Sequence, residues 1–126
     1  MHLKLDSIML FVADFELMKH FYHHVFGFSI LEEIPSEWIL FSAGNAKIGL
    51  HKIGADYTDQ SNSSFTESNT KIIFETDEDI HQIHTMLLTK GVAVQAITSY
   101  SHYPYLLFTG QDPEGNVFQV IRKKEK

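Results

Sequence analysis

The chain has 126 residues, no cysteine and a formal net charge of −6. That length suits one domain with a substantial core, and the composition excludes disulfides, thiolate metal sites and a cysteine nucleophile. The acidic balance argues against a nucleic-acid groove, and Arg122, Lys123, Lys124 and Lys126 read as a short solvated tail. The start of the chain has no secretory apolar core and no apolar run is long enough to span a bilayer, so a cytoplasmic protein with no membrane contact is expected.

In chain order, Ser7-Ile8-Met9-Leu10-Phe11-Val12 reads as a strand and Asp14 as a helix N-cap. Leu17, Phe21, His24 and Val25 then recur at helical spacing until Gly27 stops the helix. His20 and His23 on that helix read as solvated, and His24 as a core-edge residue. Residues 28–33 and 38–42 read as strands around Pro35-Ser36, and Gly44-Asn45 turns the chain into a fourth strand, AKIGLHK. Residues 54–70 are polar and rich in Ser, Asn and Thr, which marks a linker; its length also suits a loop that folds over a site.

The pattern then repeats. Residues 71–76 read as a strand, Asp77 as a cap, and Ile80, Ile83, Leu87 and Leu88 as a helical face ending at Gly91. His81 and His84 lie on this second helix as solvated residues. Ser7 to Lys71 and Gly27 to Gly91 are both 64 residues apart, and Gly115-Asn116 precedes VFQVIRK as Gly44-Asn45 precedes AKIGLHK. With strands at 92–97 and 105–109, each half is a βαβββ module, and the correspondence indicates an internal duplication. One domain, residues 1–126, thus holds module one (3–53), a linker (54–70) and module two (71–123).

Paired βαβββ modules, Phe21-Tyr22 in the first helix, Phe26-Gly27-Phe28 after it, and Asp112-Pro113-Glu114-Gly115-Asn116 before the last strand together resemble the vicinal oxygen chelate superfamily. That group includes glyoxalase I, extradiol dioxygenases, fosfomycin-resistance enzymes and bleomycin-resistance proteins. The resemblance covers residues 5–122. It implies an α+β fold whose two modules form a curved mixed sheet with a concave ligand cavity, and a homodimer. It also implies four metal-ligand positions on the first and last strands of each module, which fall here on Ser7, Gly49, Lys71 and Gln119.

Those residue types point away from a metal. Glycine offers no side chain, and a hydroxyl and an amide are poor ligands beside carboxylate or imidazole. An ammonium about 5 Å from a divalent ion repels it by roughly 6–7 kcal/mol at an effective dielectric of about 20. The reading is therefore a metal site of none and no cofactor. His51 and Glu75, with His102 as a distant third, are the residues through which a displaced metal or acid–base chemistry would act; a plain polar pair is preferred.

Strand alternation sends Ile8, Leu10, Val12, Ile48, Leu50, Ile72, Phe74, Phe118 and Val120 to the helix side. It leaves Met9, Phe11, His51, Lys71, Ile73, Glu75, Gln119 and Ile121 on the other face. Trp38 joins them if its parity agrees, and His102 and Tyr105 belong to an aromatic-rich segment beside it. The expected ligand-binding set is Met9, Phe11, Trp38, His51, Lys71, Glu75, His102, Tyr105 and Gln119. The expected partner is a small organic molecule, sequestered as in bleomycin-resistance proteins. The alternative is a lyase, isomerase or dioxygenase-type enzyme.

Overall fold

The computed structural model describes residues 1–54 and 69–125. The chain divides into two compact units, Met1–Ser63 and Ser64–Lys126, which coincide with the two halves of the sequence repeat. Most of the linker expected at 54–70 lies outside the described residues.

In the first unit, β1 (Ser7–Val12) leads to α1 (Phe15–His20), a π-helical turn (Phe21–Val25), β2 (Ser29–Ile34), β3 (Trp38–Ala43) and β4 (Ala46–Lys52). The sheet order is β1-β4-β3-β2, with β1 parallel to β4 and the other pairs antiparallel. Asp14 caps α1 as expected, its carboxylate accepting the Leu17 N–H at 3.1 Å. Gly44, at φ 74°, takes the first central position of the two-residue loop joining Ala43 to Ala46.

The helical face differs from expectation. Leu17 is 44% exposed, whereas Phe15, Met18, Phe21 and Tyr22 are buried. A π-helical turn carries one extra residue, which rotates the following side chains and lets the adjacent Phe21 and Tyr22 both enter the core. His24 is accordingly exposed; His23 is the half-buried histidine, its Nδ1–H donating to the Phe28 carbonyl at 2.8 Å.

In the second unit, β5 (Lys71–Glu75) leads to α2 (Ile80–Thr89), β6 (Ala93–Val94), β7 (Thr98–Ser99), β8 (Tyr105–Gln111) and β9 (Val117–Lys123). The sheet runs β5-β9-β8-β6, with β7 also paired to β8 and β5 parallel to β9. The strand expected at 92–97 is thus two short pieces. Asp79, not Asp77, caps α2, accepting the N–H of His81 at 2.9 Å and of Gln82 at 3.4 Å. Leu88 is 51% exposed. His84 joins the packed face instead, with its ring edge-on to Phe108 at 5.0 Å and Nε2–H donating to the Gln95 carbonyl at 2.9 Å.

Each unit is a mixed sheet with its helix on one face, an α+β design of βαβββ form. The cores follow the alternation: Val12, Ile39, Phe41, Ile48 and Leu50 are buried in one, and Ile72, Phe108, Phe118 and Val120 in the other. No helix among the described residues is long and apolar enough to cross a membrane.

Candidate functional site

The open face of the first sheet is ordered in rows by its register. Phe11 pairs with His51, His51 with Trp38 and Trp38 with Ile34, so four side chains cross the sheet in line. Trp38 therefore has the parity that the sequence left open. Phe11 is 63% exposed and its ring lies 5.5 Å from the His51 ring. His51 Nδ1 lies 2.9 Å from the Lys52 carbonyl. A carbonyl only accepts, so Nδ1 carries a proton and the ring turns its Nε2 edge away from this contact.

The next row is Met9, Gly49, Leu40 and Glu32. Glu32 reaches this face through a β-bulge. Alternation from Ile30 would send it toward the helix, but the register shifts between Ile30 and Glu32. Glu33 turns to the helix side instead, where Lys19 binds it at 2.5 Å. An open recess of about 760 Å³ lies at the Trp38 end of the face, lined by Glu32, Ile34, Glu37, Trp38, His51 and the Lys52–Gly54 turn. Sequence reasoning found Trp38 and His51 but missed the two glutamates: the bulge that turns Glu32 to this face leaves no compositional trace, and Glu37 lies in the loop between β2 and β3.

In the second sheet, Ile73, Gln119 and Thr109 form one row, and Glu75, Ile121, Leu107 and Thr98 the next. Gln119 is only 9% exposed, and its amide Nε2 donates to the Thr109 hydroxyl at 3.3 Å. Thr109 was not foreseen; pairing β8 with β9 would have indicated it. Lys71 and Glu75 are exposed, and Lys71 stands opposite Val117 rather than Gln119. Tyr105 pairs with Lys123 on the Gln119 face and lies 5.5 Å from the Tyr103 ring. His102 is exposed in the preceding turn. The structure thus groups Met9, Phe11, Trp38 and His51 on one sheet, and Gln119, Glu75, Tyr105 and Lys71 along one face of the other.

The Asp112 turn is structural. Oδ1 accepts the N–H of Glu114 at 3.0 Å and of Asn116 at 2.9 Å, and Oδ2 accepts Asn116 Nδ2 at 2.8 Å. Gly115 completes it at φ 86°. A buried carboxylate so engaged has little left for chemistry.

A family model for the Glyoxalase/Bleomycin resistance protein/Dioxygenase superfamily matches residues 4–120. The chain belongs to that superfamily. Among solved structures, a protein from the mobile metagenome of V. pseudocholerae is similar at 24% identity and a TM-score of 0.74, over 99% of this chain and 98% of that one. TnmS3, an antibiotic binding protein from a Streptomyces species, is 19% identical with a TM-score of 0.75, over 98% of each chain. FosX, a fosfomycin resistance protein from Listeria monocytogenes, is 14% identical with a TM-score of 0.79, over 98% of this chain and 96% of that one. At these identities the likeness is one of fold.

The four superfamily ligand positions do not supply a divalent-cation donor set. Ser7 offers a hydroxyl, Lys71 an exposed ammonium, and the Gln119 amide is paired with Thr109. Gly49 offers nothing, and the thioether of Met9 fills the space its side chain would need: a Cβ there would lie 2.6 Å from Met9 Cε and 2.7 Å from Sδ. Among the described residues no three His, Asp or Glu side chains are grouped to hold a metal.

Proposed function

We propose that this superfamily member binds a small organic molecule without a metal, on the open sheet face carrying Phe11, His51 and Trp38. The observation that carries this reading is the in-register row of Phe11, His51, Trp38 and Ile34, two rings and an indole beside an open recess. Aromatic faces with a few placed polar groups suit a flat organic ligand. The donor set at the superfamily ligand positions supports the metal-free part. The exposed apolar side chains of Phe11 and Ile73 further support a homodimer, which light scattering at high micromolar concentration tests.

Native mass spectrometry of freshly purified, untagged protein tests the main reading by looking for a retained organic molecule. Zinc, nickel and manganese titrations by calorimetry accompany it. His20 and His24, with ring centroids 4.9 Å apart, offer a pair of nitrogens that an added metal can engage without any role for the sheet. A His20→Ala/His24→Ala variant therefore serves as the background. Stoichiometric metal binding that survives in that variant and is lost on Gln119→Leu would overturn the metal-free reading in favour of the enzyme alternative.

A further inference from the structure

We propose that the recess at the Trp38 end of the first sheet takes a flat organic cation, with the Trp38 indole as its aromatic surface and Glu32 and Glu37 as its counter-charges. This rests on the small-molecule reading above and names the chemistry of its ligand.

The recess combines three features. Its floor is the indole of Trp38 beside the His51 ring, half-buried and flanked by Ile34, which is 55% exposed. An indole face carries negative quadrupole density and attracts a cation as well as a flat ring. Its wall carries two carboxylates that form no ion pair among the described residues, whereas Glu33 is paired with Lys19 and Asp6 with Lys47. Glu32 stands on the same face as Ile34, two residues and therefore roughly 7 Å along β2 from the row of the indole. That is the separation between a stacked ring and a charge at its edge. Glu37 closes the other side from the β2–β3 loop, which two hydrogen bonds fix: its N–H donates to the Ile34 carbonyl at 3.0 Å, and its carbonyl accepts the Lys52 N–H at 2.8 Å.

The other charged group is Lys52, at the rim where β4 ends. It also lines a second recess with Asp14 and Glu16, so its ammonium has carboxylates to approach away from the indole. The proposed site therefore carries an excess of negative charge when His51 is neutral. A neutral aromatic would gain nothing from the two exposed glutamates, and an anion would be repelled by them.

Trp38 is the single tryptophan of the chain, so its fluorescence reports on this recess alone. The test titrates the full chain at pH 8 with three probes of one shape: N-methylacridinium, neutral acridine and acridine-9-carboxylate. The cation should quench Trp38 with at least tenfold higher affinity than neutral acridine, and raising salt from 50 to 500 mM should weaken it severalfold. Glu32→Gln/Glu37→Gln should bring the two affinities within about threefold without altering the circular dichroism spectrum. Equal affinity for cation and neutral ring, or tighter binding of the carboxylate, overturns the cation assignment while leaving the small-molecule reading in place. Absence of quenching by all three probes overturns both.

Discussion

The thioether of Met9 covers Gly49. The two residues pair directly across the parallel β1–β4 ladder, and a Cβ on residue 49 would approach Met9 Cε and Sδ to 2.6 and 2.7 Å. Neither distance is tolerable, but both atoms are at the far end of a flexible side chain. Gly49→Ala should therefore cost about 1–2 kcal/mol through displacement of Met9. In a Met9→Ala background the same change should cost under about 0.5 kcal/mol, since the nearest atom outside Met9 is the Ile39 carbonyl oxygen, at an ordinary 3.4 Å. A double-mutant cycle by urea unfolding measures the difference. Equal costs in both backgrounds would mean that Met9 does not restrict residue 49.

Gln119→Glu should add no stoichiometric zinc, nickel or manganese binding. The reason is the number of donors rather than repulsion by lysine. Lys71 is exposed and opposite Val117, so water screens its ammonium more than its position in the sequence suggests. Lys71→Ala with Gln119→Glu should likewise gain nothing, because removing the ammonium adds no donor. Because residue 119 is buried, the single carboxylate should lower stability at pH 7 by about 1–3 kcal/mol. Calorimetric titration and urea unfolding read the two effects.

Much of this arrangement is legible in the sequence, for a definite reason. Ile48 and Leu50 alternate with Lys47, Gly49 and His51, and a strand buried on one face can keep that alternation in only one register. The helix faces were less legible. Leu17 and Met18 are adjacent apolar residues, and the helical period alone does not choose which one faces the core; the π-helical turn at Phe21–Val25 then shifts the phase, so that His23 rather than His24 is half-buried. Asp77 and Asp79 are equally good caps by type, and only the N–H groups of His81 and Gln82 choose between them. The contact of Met9 with Gly49 depends on strand register, which composition does not express.

Asp112→Ala should destabilise the protein by about 2–4 kcal/mol, because three charge-assisted hydrogen bonds in a buried turn are lost together. Asp112→Asn should cost less, about 1–2 kcal/mol: it can keep the two acceptor bonds at one oxygen but presents an amide to Asn116 Nδ2. Chemical unfolding gives both values. Unchanged ligand binding by the folded Asp112→Asn protein would fit the structural role assigned to the turn.

Acid should weaken the α2 cap. Hydrogen bonds from the His81 and Gln82 backbones, with the His81 and Arg122 charges, hold the Asp79 carboxyl below its ordinary value. The folded state therefore releases this proton more readily than the unfolded chain. The cap's contribution is fully present above about pH 4, the unfolded value, and is lost as pH falls through the lower folded one. Asp79→Asn keeps an acceptor but cannot titrate, so it should flatten this part of the acid limb of a stability–pH curve. An acid limb identical to that of the parent protein would remove Asp79 from the account.

The bulge in β2 places Glu32 on the open face and Glu33 against Lys19. Because the two neighbours are the same residue, a one-residue slip of this strand would exchange their places without changing the charge on either side. The acidity of the recess is in this sense redundant, encoded twice in succession. It would survive a slip that smoothed out the bulge, whereas Ile34 opposite the indole has no such duplicate and would turn away. Shape at this edge is therefore more easily lost than charge.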